Sequence, residues 1–305
     1  TCLIWGVVGS GLAGTYMPGL QVLNERLNMT DRVKLTPWYT SSFGLSNGIS
    51  FAVIGYLFAN FSWKIACYTT SISAALSAII ILFLTTSHNQ KKDITERKFF
   101  DLRPAFKNKE ALGYIFSYGT HTYELFAYRA WIFTFLLWAS LRTPNTISSE
   151  LISLIIGIFM FIGMVSSLMG AKFCLDYGRK KVLMIIGFAT FVFSVICAIS
   201  ISLPLWIIII LVGIYHAFIM LDSGALTAGT VSVSDDNERG AILAFHSIIG
   251  FAGGAIAGPI IGFILDVNGG TNNTSAWIFA FISMGLGSLF VFLIQYRSLV
   301  TRIKN

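Results

Sequence analysis

The chain has 305 residues, of which 55% are hydrophobic and only 11% charged, with a formal net charge of +7. Soluble domains carry roughly 25% charged residues. The composition therefore excludes the two soluble domains that length alone would suggest and indicates a polytopic membrane protein.

Nine apolar segments follow one another, at roughly 2–22, 38–59, 64–85, 112–139, 150–170, 181–201, 205–232, 240–265 and 275–296. Only helices or closed barrels satisfy their backbone in hydrocarbon, and runs this long read as helices. The expected fold class is thus an all-α membrane protein with nine transmembrane helices. The first segment starts at Thr1 without Met and lacks the basic leader of a signal peptide, which reads as a truncated start. It carries a small-residue face, Gly6, Ser10 and Gly14, with Tyr16 and Pro18 beyond. The second has Gly44, Gly48, Ala52 and Gly55 along one face.

Between the third and fourth segments runs the longest polar connection, His88–Glu110. It is mixed in charge and reads as a linker between two groups of helices; its basic residues are also suited to anionic lipid headgroups. The fourth segment, 113–137, carries His121, Glu124 and Arg129 in its middle. Ionisable groups there are costly unless paired or facing a cavity. Ser117, His121, Glu124, Tyr128, Trp131 and Phe135 share one helical face by i, i+3/i+4 spacing. Two readings fit: the wall of a polar cavity, or a buried structural pair that fixes helix register. Arg129 is turned away from Glu124 and needs a partner on another helix.

The stretch Asp176-Tyr177-Gly178-Arg179-Lys180-Lys181 lies between the fifth and sixth segments. Gly178 permits a tight turn, and Asp176 is placed to cap the next helix or to pair with a base. The seventh segment holds His216 and Asp222 near a break at Ser223-Gly224. His216 reads as a structural histidine or a pathway residue, Asp222 as a pathway residue or a cap, and His246 in the eighth segment as a packing residue. That eighth segment has Gly250, Gly254, Gly258 and Gly262 at four-residue spacing with Pro259; small-xxx-small faces let helices approach closely. Glycine faces in both the second and eighth segments, each after an acid–base cluster (Asp31-Arg32 or Asp236-Asn237-Glu238-Arg239), suggest a duplicated transporter bundle.

The connections alternate in charge. Alternate loops carry 3, 7, 4, 1 and 3 Lys and Arg, 18 in all, while the intervening ones carry 1, 1, 0 and 0; Arg129 is the remaining one of 21. The positive-inside rule places the 18 in the cytoplasm, together with residues 88–110 and the C-terminus.

The Asp176–Lys181 stretch resembles the signature loop of the major facilitator superfamily in its second copy. Gly254 to Gly262 resembles that superfamily's glycine–proline helix, GxxxGPxxG. The resemblance covers essentially the whole chain. It implies a partial fold, with residues 1–87 as the last three helices of an N-terminal bundle, 88–110 as a cytoplasmic linker and 111–305 as the C-terminal six-helix bundle. The run at 11–20 is similar to the fourth helix of bacterial members near the nitrate/nitrite carriers, which implies a bacterial inner membrane. Two positions depart from the family pattern: Lys172 stands where the signature has Gly, and Trp5 where many members have Arg. In the family, helices 7 and 10 line the central cavity. The segments that match them carry His121, Glu124, Tyr128, Arg129, His216 and Asp222. Buried carboxylates and histidines exchange protons, and the constantly charged Arg suits an anion or a carboxylate partner.

The expected function is secondary active transport of a small-molecule solute by alternating access, coupled to protons. Asp176, Gly178, Arg179 and Lys180 form the expected cytoplasmic gate loop, and Gly250, Gly254, Gly258, Pro259 and Gly262 the helix-packing motif. The expected partners are the solute, protons and lipid, with no nucleic acid, metal or cofactor, and with one copy acting alone. A passive facilitator and a non-transporting sensor are the rival readings. An enzyme is disfavoured because the sequence has no HExxH, GxSxG or metal cluster, and direct use of ATP because it has no Walker A loop.

Overall fold

A computed structural model describes residues 2–84, 101–144 and 146–304. Its described residues form eleven helices and no strand: α1 (Cys2–Glu25), α2 (Met29–Asn60), α3 (Trp63–Leu84), α4 (Arg103–Lys107), α5 (Lys109–Leu141), α6 (Ser149–Tyr177), α7 (Arg179–Ile199), α8 (Leu205–Leu221), α9 (Ser223–Ser232), α10 (Arg239–Val267) and α11 (Thr274–Lys304). The expected linker at 88–110 lies largely outside the described residues; its last part forms α4 and the start of α5.

Seven helical stretches among the described residues are long and apolar enough to cross a membrane: α2, α3, α6, α7, the α8–α9 pair, α10 and α11. The other two expected spans, α1 and α5, are 24 and 33 residues long but fall outside that set. In α5 the cause is the polar middle: Glu124 and Arg129 bring down the mean hydropathy of every window that holds them.

Local chemistry sets the helix ends. Asn28, Asn108 and Ser148 sit at N-caps, where their side-chain oxygens accept from the backbone N–H of Asp31, Ala111 and Leu151 at 2.9, 2.9 and 3.2 Å. Such caps satisfy donors that have no partner inside the helix. Gly178, at φ 91°, is the only residue between α6 and α7. That dihedral suits glycine and turns the chain back within one residue. Each helix of spanning length begins at or before the apolar run that marks it in the sequence. The connection between the first two runs accordingly shrinks to residues 26–28, and the one expected to hold Lys172 and Asp176 is the end of α6. Basic and acidic residues that read as loop are helix ends projecting past the apolar layer.

Close packing follows the glycines. On α10, a Cβ added to Gly254 or Gly262 would lie 3.0 Å from the Phe126 ring or 3.1 Å from the Trp131 ring of α5, and one added to Gly250 would meet Tyr118. Trp131 Nε1 donates to the Gly258 carbonyl at 3.0 Å, and Thr122 Oγ1 to that of Gly250 at 2.8 Å. The glycine face of α10 therefore receives the large side chains of α5. On α2, a Cβ at Gly48 would come within 2.9 Å of the Gly157 carbonyl of α6. The two glycine faces thus serve different contacts. One ties α10 to α5, and the other joins α2 to α6 across the division between the first three helices and the rest. α2 also packs on α9, and α1 on α10. α3 packs against α2 and leaves Tyr68, Ile72, Leu76 and Ile80 exposed, as suits a surface bathed in lipid. The main core lies within the later helices, around Tyr128, Phe135, Tyr215, Trp277 and Phe281.

Candidate functional site

The face of α5 singled out by spacing is turned mostly into the bundle of later helices. Ser117 Oγ accepts from Gln295 Nε2 of α11 at 2.8 Å. Glu124 is fully buried; its Oε1 accepts from Tyr215 of α8 at 2.6 Å, and its Oε2 accepts a short hydrogen bond from Ser288 of α11. Tyr128 donates to the Val212 carbonyl at 3.0 Å and stacks on His216 with ring centroids 4.9 Å apart. Phe135 packs on Trp277 and Phe281. Helical spacing says which residues share a face but not which neighbour that face meets. Here it meets α8 and α11 at Glu124 and Tyr128, and neither of those two lines the cavity beside α5.

A cavity does lie on α5, on the adjoining face. It is enclosed by α1, α2, α5, the α8–α9 junction and α10, and has a volume of 30 Å³, room for a water or two. From α5 it is lined by Tyr118, His121, Thr122, Leu125, Phe126 and Arg129; Tyr16, Phe43, Ser223 and Ser247 face it from the other helices. Its walls therefore come from both the first three helices and the later ones. Of the six residues expected to form the pathway, His121 and Arg129 line it.

His121 Nδ1 lies 2.7 Å from Asp222 Oδ1, and both side chains are almost wholly buried, at 2% and 3% exposed. Asp222 occupies the single position between α8 and α9, yet its side chain makes no capping hydrogen bond to α9. Instead the break is held from α6, where Ser167 Oγ accepts from Gly224 N at 3.1 Å. The carboxylate left over faces His121. From His121 a stack of rings runs inward: Tyr118 at 5.9 Å, then His246 a further 4.0 Å on. His246 Nδ1 lies 3.1 Å from Thr230 Oγ1 and its Nε2 lies 3.4 Å from Thr227 Oγ1, so this histidine is satisfied within its own packing.

Arg129 is expected to find a partner on another helix. Among the described residues it finds none: Nε and both terminal nitrogens are buried without a hydrogen bond. The guanidinium instead sits 5.3 Å from the ring centroid of Phe43 on α2 and 5.9 Å from that of Phe126, within cation–π range. His216 likewise has both ring nitrogens buried and unpartnered; it is fully buried beneath Tyr128.

At the end of the bundle where Gly178 lies, charged side chains tie the helices together. Arg32 of α2 lies 2.7 Å from Asp236, which Arg239 of α10 approaches to 2.5 Å. Arg32 also donates to the Asn24 carbonyl at 2.5 Å. The guanidiniums of Arg239 and then Arg32 hold the Asp236 carboxyl below the usual carboxylate range. The two acid–base clusters that looked like counterparts in the sequence are thus partners in space. In the signature stretch, Arg179 donates to Ser232 Oγ at 2.7 Å and Lys180 pairs with Glu110 at 2.8 Å. Asp176 is exposed, α7 has no side-chain cap, and among the described residues Asp176 makes neither the capping nor the pairing expected of it.

Sequence reasoning missed Tyr215, Ser288 and Gln295, which satisfy the α5 face, and Ser223 and Ser247, which line the cavity. A lone polar side chain in an apolar run carries no signal of its own. The demand of a buried Glu124 for donors is a signal for Tyr215 and Ser288 alone.

An all-helical bundle of membrane-crossing helices, closed around a cavity with buried ionisable groups, is the architecture of a transmembrane transport protein. Residues 122–302, more than half of the chain, match the family model described as Major Facilitator Superfamily, and the chain belongs to that superfamily. Comparison with curated proteins gives no match.

Proposed function

We propose that the chain is a secondary active transporter that moves a small solute by alternating access, coupled to protons, in a bacterial inner membrane. The observation that carries this reading is the His121–Asp222 pair, whose histidine lines a cavity walled by both groups of helices. A cavity shared between two bundles can face either side as they rock, and an acid–base pair that meets its wall at His121 gives protons a place to bind. In this reading α1 and α5 also span the membrane, making nine spans, with 1–87 as helices of the N-terminal bundle and 111–305 as the C-terminal six-helix bundle. The basic end is cytoplasmic, as the loop charges suggest, and the Arg32–Asp236–Arg239 contact with the Gly178 turn forms the gate there. Glu124 holds its proton site deeper in the later bundle, one turn of α5 from His121.

The test uses the full chain in sealed proteoliposomes loaded with a pH-sensitive dye and challenged with a panel of small solutes. The expected result is a solute whose entry acidifies the lumen and which accumulates until an uncoupler collapses the gradient. Solutes that equilibrate without ever accumulating would make the protein a passive facilitator.

A further inference from the structure

We infer that the cavity at Arg129 is a binding site for a monoanionic carboxylate with an aromatic or otherwise apolar body. The inference rests on the transport reading, in which that cavity opens to a solute. An arginine stays charged in any setting a protein offers, so the guanidinium buried here with three unpartnered nitrogens is a cation without a counter-ion. The two rings beside it, Phe43 and Phe126, offset part of the desolvation but accept none of its N–H groups. A carboxylate does so with two parallel hydrogen bonds.

The groups around it leave the head group to Arg129. Asp222 faces His121, and Glu124 is hydrogen-bonded to Tyr215 and Ser288 away from the cavity. Arg129 is the one Lys, Arg, Asp or Glu among the described lining residues, and one guanidinium balances one negative charge. The hydroxyls of Ser223, Ser247 and Tyr118 line the same cavity and make no hydrogen bond among the described residues, so they are free to donate to the same head group. Most of the rest of the lining is apolar or aromatic, as Phe43, Phe126 and Phe251 are, with Thr40, His121 and Thr122 as its polar members. The aromatic surface suits a ring or hydrocarbon body. With a volume of 30 Å³ the cavity admits such a ligand only when its walls part.

The experiment measures binding to the purified full chain in detergent, by titration calorimetry and thermal melting at constant ionic strength. Sodium benzoate is the probe, with benzamide, sodium sulfate and sodium chloride as comparisons. Benzoate should bind and raise the melting midpoint while benzamide does neither. Arg129→Gln should weaken benzoate roughly ten- to a hundredfold, the loss of a charge-assisted hydrogen-bonded pair, and Arg129→Lys should fall between. Without ligand, the Gln variant should melt no lower than the parent, because it removes an unpaired buried charge. Equal binding of benzamide, tighter binding of sulfate, full displacement of benzoate by equimolar chloride, or a folded Gln variant that still binds benzoate would each overturn the inference. So would a Gln variant that melts well below the parent, since Arg129 would then have a structural partner. The readout is binding, so the two readings fail separately. Proton-driven uptake of a neutral solute without benzoate binding removes the anion site alone, whereas benzoate binding without any uphill transport removes the transport reading alone.

Discussion

His121 on α5 and Asp222 at the α8–α9 junction stand 2.7 Å apart with both side chains buried, and the pair lies at the one place where the seventh apolar segment changes from one helix to another. The pair therefore joins the cavity wall to a helix break. Losing one partner of a buried pair leaves the other uncompensated. Asp222→Asn and His121→Gln should each destabilise the protein by about 1–3 kcal/mol, and the double variant should lose less than the sum of the two. Thermal melts of the three variants check this. Strictly additive losses would mean that the two side chains are neighbours without being coupled.

Glu124 accepts from two hydroxyls, Tyr215 and Ser288. A glutamine there keeps one acceptor oxygen and offers its amide to whichever hydroxyl turns round to accept. The Glu124→Gln variant should therefore fold, with a loss of about 1 kcal/mol, while Glu124→Leu strands both hydroxyls at about 1–3 kcal/mol each. In transport assays the Gln variant should lose proton-driven accumulation and retain exchange of solute for solute. Both modes falling together at matched protein levels would make Glu124 a structural residue.

The sequence made the helices legible because a membrane leaves the backbone almost no alternative. Their ends were less legible, as Arg32, Lys172 and Asp176 continue helices beyond the apolar runs, and among the described residues seven helical stretches, against the nine expected, are long and apolar enough to cross a membrane. The site was half legible. Charge inside an apolar run marked His121, Glu124, Arg129 and Asp222, since burying such groups needs a reason. Which of them meet was not readable. His121 and Glu124 share a face at three-residue spacing, but the group that meets His121 is Asp222, about a hundred positions away. Satisfaction by Tyr215 and Ser288 depends on how α8 and α11 rotate against α5, which no local pattern encodes.

The glycines of α10 are unequal in spite of their regular spacing. A methyl group at Gly258 would find only Ala130 Cβ, at an ordinary 3.7 Å, whereas at Gly254 it would press on the Phe126 ring at 3.0 Å, and at Gly250 it would run into Tyr118. Gly258→Ala should be tolerated within about 0.5 kcal/mol. Gly254→Ala should cost about 1–3 kcal/mol, the range for overpacking, and Gly250→Ala more. At Gly170 of α6 the added carbon would fall on the backbone of Leu221, which cannot swing aside, and Gly170→Ala should prevent recovery of folded protein. Yield and melting midpoint of the four variants give the order; a Gly258 variant as damaged as that of Gly250 would contradict it.

The last prediction concerns Asp236, which holds Arg32 and Arg239 together at the basic end of the bundle. Asp236 is 66% exposed, so its pairs are screened by solvent and contribute only about 0.2–1 kcal/mol. That is enough to shift an equilibrium between two arrangements of the bundle severalfold without threatening the fold. The folded carboxyl is held below its ordinary value by the two guanidiniums. Its contribution is therefore fully present above the unfolded pKa of about 3.9 and disappears as the pH falls through the lowered folded value. Between pH 5 and 8 the tie should be insensitive to pH, so any pH dependence of transport in that window must come from other groups. Asp236→Asn should loosen this end at neutral pH, increasing the labelling rate of a cysteine introduced at Ser223 by a reagent applied from the basic side, while the melting midpoint barely moves. The ratio of the labelling rates of the Asn variant and its parent should be the same at pH 8 and at pH 5, because the Asp236 contribution does not change in that window. A labelling rate unchanged in the Asn variant would mean that the Arg32–Asp236–Arg239 contact does not hold the cavity closed on that side.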